Sequence, residues 1–136
     1  MKLIKSLLEP KLLLTGALLF TCFITYGSLT STGSLPQLDY AVSDKLIHAL
    51  SYFLLFLLWF FFWIIKSKEK KYLRKTTLLG VVVFSYGMVI EVLQGTLTAA
   101  READFYDVIA NGAGIFCAVL LVILIKKKIL KLKSSI

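Results

Sequence analysis

Three short stretches of this chain set acids, amides, an imidazole and a guanidinium among residues that are otherwise apolar. Asp44, His48 and Tyr52 recur every four residues, so a helix would carry them as one stripe descending about 6 Å per step, with Lys45 beside its first member. Glu91 and Gln94 lie three apart and share a face; Asp104, Asp107 and Asn111 fall within one narrow arc, with Arg101 just ahead of them. These types support three kinds of chemistry. Arg101 with Lys45 or His48 can clamp a phosphate or carboxylate, since guanidinium pairs with such anions through two parallel hydrogen bonds. His48 beside Glu91 or Asp107 can act as a general acid or base, with the carboxylate setting the tautomer, so these three are the candidate catalytic groups. Glu91, Asp104, Asp107 and His48 are also of metal-ligating type. Their spacing matches no metal motif, and H-E-x-x-H, nucleophile-elbow and phosphate-loop patterns are all missing, so neither a metal nor another cofactor is assigned. The candidate binding set is Asp44, Lys45, His48, Tyr52, Glu91, Gln94, Arg101, Asp104, Asp107 and Asn111.

The elements that position these groups must live in lipid. Of the 136 residues, 58% are hydrophobic, and the mean hydropathy is +0.82, too apolar for a soluble fold of this size. Crossing a hydrocarbon core about 30 Å thick takes roughly 20 residues of helix. Four stretches supply them, near 11–30, 44–65, 76–98 and 105–125. The unbroken run from Leu54 to Trp63 lacks the alternation of a barrel strand, so the expectation is an all-α bundle of four transmembrane helices forming a single domain. The first segment has a charged start and an apolar core like a signal peptide, but Leu12 to Leu29 is long for that role, and a retained helix is expected. Ser43 or Asp44 is the expected N-cap of the second helix and Asp104 that of the fourth, with Asp107 complementing the positive end of the helix dipole. Ala110, Gly114 and Ala118 form a small-residue seam along the fourth helix, where a neighbour can approach closely. Cys22 and Cys117 sit mid-span without a metal spacing and are expected as free buried thiols.

Orientation follows from the basic residues. Of 16 Lys and Arg, only Lys45 and Arg101 fall at the end of the spans that carries the acid, amide and imidazole groups. The rest precede the first span, link the second to the third, or follow the fourth. The positive-inside rule then puts both termini and the 66–75 loop in the cytoplasm, and the polar groups outside. Nucleic-acid binding is not expected, because each basic run abuts a hydrophobic span, where topology and attraction to anionic lipid already account for it. Ionisable residues below a membrane surface cost roughly 2.5 to 3.5 kcal/mol each at mid-helix. Singly, Asp44, Asp104 and His48 could be caps or satisfied interfacial groups. Glu91 lies inside the apolar run Val81 to Leu93, where neither excuse holds, so it requires a partner, with Arg101 or His48 the candidates.

Taken in order, Asp44-Lys45-x-x-His48 with Tyr52, Glu91-x-x-Gln94, and Arg101-x-x-Asp104-x-x-Asp107-x-x-x-Asn111-x-x-Gly114 resemble the VanZ-like membrane protein family over about residues 40 to 120. The resemblance implies a small bacterial envelope protein, in a family named for a member associated with reduced susceptibility to the glycopeptide teicoplanin. It matches Asp44, His48, Glu91, Gln94, Arg101, Asp107 and Asn111 to motif positions. Ala99-Ala100, where relatives often have a Pro-Gly-like turn, and Ala118, where another glycine is common, are departures that bear on loop shape and packing. Two functions are therefore expected to compete: binding of an anionic envelope lipid or cell-wall precursor headgroup, and hydrolysis or transfer on a lipid-linked phosphate or glycan. Transport is disfavoured, because no polar path continues from Leu54 to Ile65.

The orientation is testable in intact cells. In a background without Cys22 and Cys117, Ser34→Cys should react with an impermeant thiol reagent and Ser67→Cys should not. Labelling at position 67 from outside would reverse the topology.

Overall fold

The computed structural model describes residues 6–30, 40–67, 72–97 and 104–134, with the backbone alone at 40–43. Among the described residues five helices follow one another: α1 (Pro10–Leu29), α2 (Tyr40–Lys66), α3 (Tyr72–Leu97), α4 (Phe105–Leu124) and α5 (Lys126–Ser134). No strand occurs among the described residues. The first four helices are each long and apolar enough to cross a membrane. Their starts obey local chemistry. Pro10 opens α1 at a position whose N–H needs no acceptor, and Asp104 caps α4 by accepting the Tyr106 N–H at 2.8 Å. The start of α2 departs from expectation: the helix begins at Tyr40, so Ser43 and Asp44 lie inside it rather than capping it. Nothing in Tyr40-Ala41-Val42 breaks a helix, and a local capping signal does not bind when the turn before it is also helix-compatible.

Each spanning helix turns one stripe inward and leaves the rest to lipid. On α2 the inward stripe is Tyr52, Leu55, Phe56, Phe60 and Ile64; it meets Leu79 and Val83 of α3 and Ile115, Ala118 and Val122 of α4. The outward stripe of α2 (Leu46, Ile47, Leu50, Leu54) is exposed, as suits a surface solvated by acyl chains. Cys22 and Cys117 are likewise exposed on the outer surface, not buried as expected. A thiol is weakly polar and small, so lipid accepts it as readily as the bundle interior does.

Inside lipid the hydrophobic effect does not draw helices together, so packing and interhelical hydrogen bonds must. The Tyr72 hydroxyl donates to the Val122 carbonyl at 2.7 Å, joining α3 to α4. Helix α1 braces the others through two threonines: Thr21 accepts from the Trp59 indole at 3.1 Å, and Thr25 pairs with the Tyr86 hydroxyl at 2.8 Å.

The small-residue seam on α4 works as the sequence suggests, but its partner is α2, and α2 with α4 is the most extensive helix pair. Gly114 lies against the backbone of Ala49, so that a Cβ there would overlap the Ala49 carbonyl. Ala118 is fully buried, whereas Ala110 at the upper end is half-buried. Gly114→Leu should therefore cost at least about 3 kcal/mol, at or beyond the upper end of the usual overpacking range, because the obstacle is backbone that has no rotamer to change. Val119→Leu should cost less than about 1 kcal/mol. Thermal unfolding or folded yield in detergent measures both, and equal effects would remove the seam from the packing.

Candidate functional site

At the end of the bundle away from the lysine-rich segments, three helices bring their polar residues together. Helix α2 contributes Asp44, Lys45, His48 and Tyr52, α3 contributes Glu91 and Gln94, and α4 contributes Asp107 and Asn111 with Asp104 at its cap. Glu91, Gln94, Asp107 and Asn111 are buried. Arg101, the remaining candidate and an expected partner of Glu91, lies outside the described residues.

Lys45 is the hub. Its ammonium donates to Asp104 Oδ2 and to Asp107 Oδ1, and Asp44 Oδ2 stands 3.7 Å away. The contact holds α2 to the first turn of α4. Lys45 and the Tyr106 N–H keep the Asp104 carboxyl below the usual carboxylate range, since both donate to its charged form.

Glu91 finds a partner that residue types do not reveal. Its Oε1 accepts the backbone N–H of Asp104 at 3.0 Å. In an ordinary capping box, the acid three residues into the helix reaches back to the N-cap N–H. Here that acid is Asp107, which instead serves Lys45, and Glu91 from α3 takes the vacated role. The positive end of the α4 dipole thus faces a carboxylate from another helix.

His48 stands between these contacts. Its Nδ1 lies 3.1 Å from Asn111 Oδ1, an oxygen that can only accept, so Nδ1 carries the proton. Nε2, the lone-pair nitrogen whenever the ring is neutral, faces Asp107 Oδ2 at 3.7 Å, beyond hydrogen-bond length. Only a second proton or a cation makes that approach attractive. One turn deeper, Tyr52 is buried and its hydroxyl has no hydrogen-bond partner among the described residues.

Two residues that the chemistry-first reading passes over make this possible. A Cβ on Gly87 would lie 2.8 Å from the Tyr52 ring and 3.4 Å from Asn111 Nδ2, so the glycine gives both side chains their room. Ala49, next to His48, receives Gly114 of α4. The available signal was Gly87 lying four residues before Glu91, on the same helical face.

The potential metal ligands regroup. Asp44, His48 and Asp107 each offer one ligand atom, all within 4.8 Å of one another, while Glu91 and Asp104 are committed to the Asp104 N–H and to Lys45. A divalent ion there would share the Asp44 and Asp107 carboxylates with the Lys45 ammonium. Among the described groups, four carboxylates face one ammonium and one imidazole, so the interior of the cluster favours cations, and anion contact is confined to its half-exposed rim.

The hub makes a quantitative expectation. Lys45→Gln and Asp107→Asn should each destabilise the protein, and a double-mutant cycle should show coupling of about 1 kcal/mol or more, with the double variant less harmful than the sum. Partial exposure of Lys45 keeps the figure below that of a fully buried pair. Additive effects in thermal unfolding would mean that the two groups do not interact.

No curated protein and no solved structure matches the chain significantly. The sequence model of the VanZ/LLP1 family matches residues 12–126, from the first turn of α1 to the start of α5. That range contains every polar group of the cluster and all four spans, so this multi-pass membrane protein belongs to the VanZ/LLP1 family.

Proposed function

We propose that the polar end of the bundle binds the anionic headgroup of an envelope lipid or cell-wall precursor at the outer face of a bacterial inner membrane, with both termini in the cytoplasm. One observation carries this reading. Lys45 is held by two acids of unequal burial, Asp107 with 7% of its side chain exposed and Asp104 with 40%. A phosphate or carboxylate arriving from outside can replace the rim carboxylate of Asp104 on the Lys45 ammonium while Asp107 keeps its hold. Arg101 precedes Asp104 by three residues and supplies the second cation that recognition of such an anion uses. The positive-inside distribution of Lys and Arg supports the orientation. Association of the family with teicoplanin, which acts outside the cell, suits an outward site, with any change in susceptibility following from altered envelope composition.

The competing reading is a small intramembrane hydrolase or transferase with His48, Glu91 and Asp107 as acid and base. It draws on the fixed tautomer of His48. Against it, no carboxylate among the described residues is within hydrogen-bond reach of Nε2, and Glu91 is engaged by backbone.

Comparison of lipids and cell-wall precursors in cells carrying the native protein, Lys45→Gln, His48→Ala or no protein tests both. Binding predicts that Lys45→Gln reproduces the profile of cells without the protein, with no accumulated substrate. A substrate that builds up with His48→Ala while Lys45→Gln retains turnover would favour the enzyme. Unchanged pools in all four strains would overturn both.

A further inference from the structure

The opposite end of the molecule carries a second lipid-facing feature. Helix α4 presents Cys117, Leu120, Leu121 and Leu124 outward, at spacings of three and four, as one exposed stripe. The helix passes into α5 with little interruption, because Ile125 N–H still bonds the Leu121 carbonyl and Ile129 N–H the Ile125 carbonyl. The stripe therefore runs on. Its next members are Lys127, Lys128 and Lys131, all exposed and within an arc of about 100°. The side chain type changes from leucine to lysine just beyond Leu124, where a helix leaves the acyl chains and enters the headgroup layer.

The opposite face of α5 is already engaged. Ile129 is buried and, with Leu132, lines an apolar groove against Phe61 and Ile65 at the end of α2. Lys133 donates to the Ser67 carbonyl just past that end. Lys126 lies over the Tyr72 ring, 5.4 Å from its centroid. These contacts fix the rotation of α5, so the three exposed lysines are presented in a set direction rather than on a free tail.

From this geometry we infer that Lys127, Lys128 and Lys131 form a binding site for the phosphate of an anionic phospholipid in the leaflet at the basic end of the bundle. The occupant is a lipid and not a soluble anion, because the site continues a stripe of leucines that an acyl chain would cover. Three ammonium groups without an acid on α5 complement a phosphodiester. The inference is independent of the polar-end reading, which involves other residues some thirty ångströms away across the bilayer core, about one membrane thickness.

Purified full-length protein in neutral detergent tests it, with thermal unfolding followed as phosphatidylglycerol or phosphatidylcholine of the same chain length is added. Phosphatidylglycerol should raise the unfolding temperature in a salt-sensitive way, and phosphatidylcholine should not. K127Q/K128Q/K131Q should weaken the response by roughly a hundredfold in lipid concentration, as expected for losing three charges at a membrane surface. K127R/K128R/K131R should keep it, and so should Lys45→Gln, which separates this site from the polar end. Equal stabilisation by the two lipids, an unaltered response in the triple Gln variant, or full replacement of the lipid by glycerol phosphate would each overturn the proposal.

Discussion

Carboxylates held where water is scarce are the constraint on which this structure turns. Asp107 and Glu91 are buried between helices that face lipid, and each must find a donor within the protein. Asp107 finds the Lys45 ammonium, and Glu91 finds the N–H at the start of α4. The first contact ties α2 to α4 and the second ties α3 to α4. Satisfying two buried carboxyl groups thereby fixes the relative position of three helices, and the first turn of α4 becomes the point through which all of them are referenced.

The close contacts of the apolar region serve the same end. The Gly114 approach to Ala49 lies one turn below the His48 to Asn111 hydrogen bond and sets the separation of α2 and α4 at which that bond can form. Gly87 does the corresponding job for α3, since any larger residue would press on the Tyr52 ring and on Asn111. Helix α1 supplies no polar group to the cluster; its threonines secure Trp59 and Tyr86 instead. Family membership fits this division of labour, as the matched range runs through all four spans.

The two ends of the molecule are chemically unlike. At the polar end, carboxylates outnumber cations among the described groups and the only ammonium there is held by acids, so the recognition proposed there works by exchange with an incoming anion. At the basic end, lysines on α5 stand with no acid on their own helix. The lipid contact proposed for that end therefore rests on charge and on continuity with the leucine stripe, without any exchange.

Hydropathy determined the four spans to within a few residues, since the requirement for about 20 apolar residues is local and is met or failed by composition alone. The polar residues of the cluster were legible for the same reason: lipid makes a charge conspicuous wherever it stands. Caps were legible where a side chain bonds its own helix, as at Asp104, and misread where the preceding turn is itself helical, as at Ser43 and Asp44. Partnership was not legible. Periodicity gives the face a residue occupies but not which helix lies opposite, so the small-residue seam could be seen on α4 while its partner α2 could not. Backbone donors leave no trace in residue types, and this hid the N–H that satisfies Glu91. The outward position of Cys22 and Cys117 was hidden too, because a thiol is compatible with either side of a helix in lipid. Which groups meet was decided by the rotation of each helix about its axis, and that rotation is a property of the packed bundle alone.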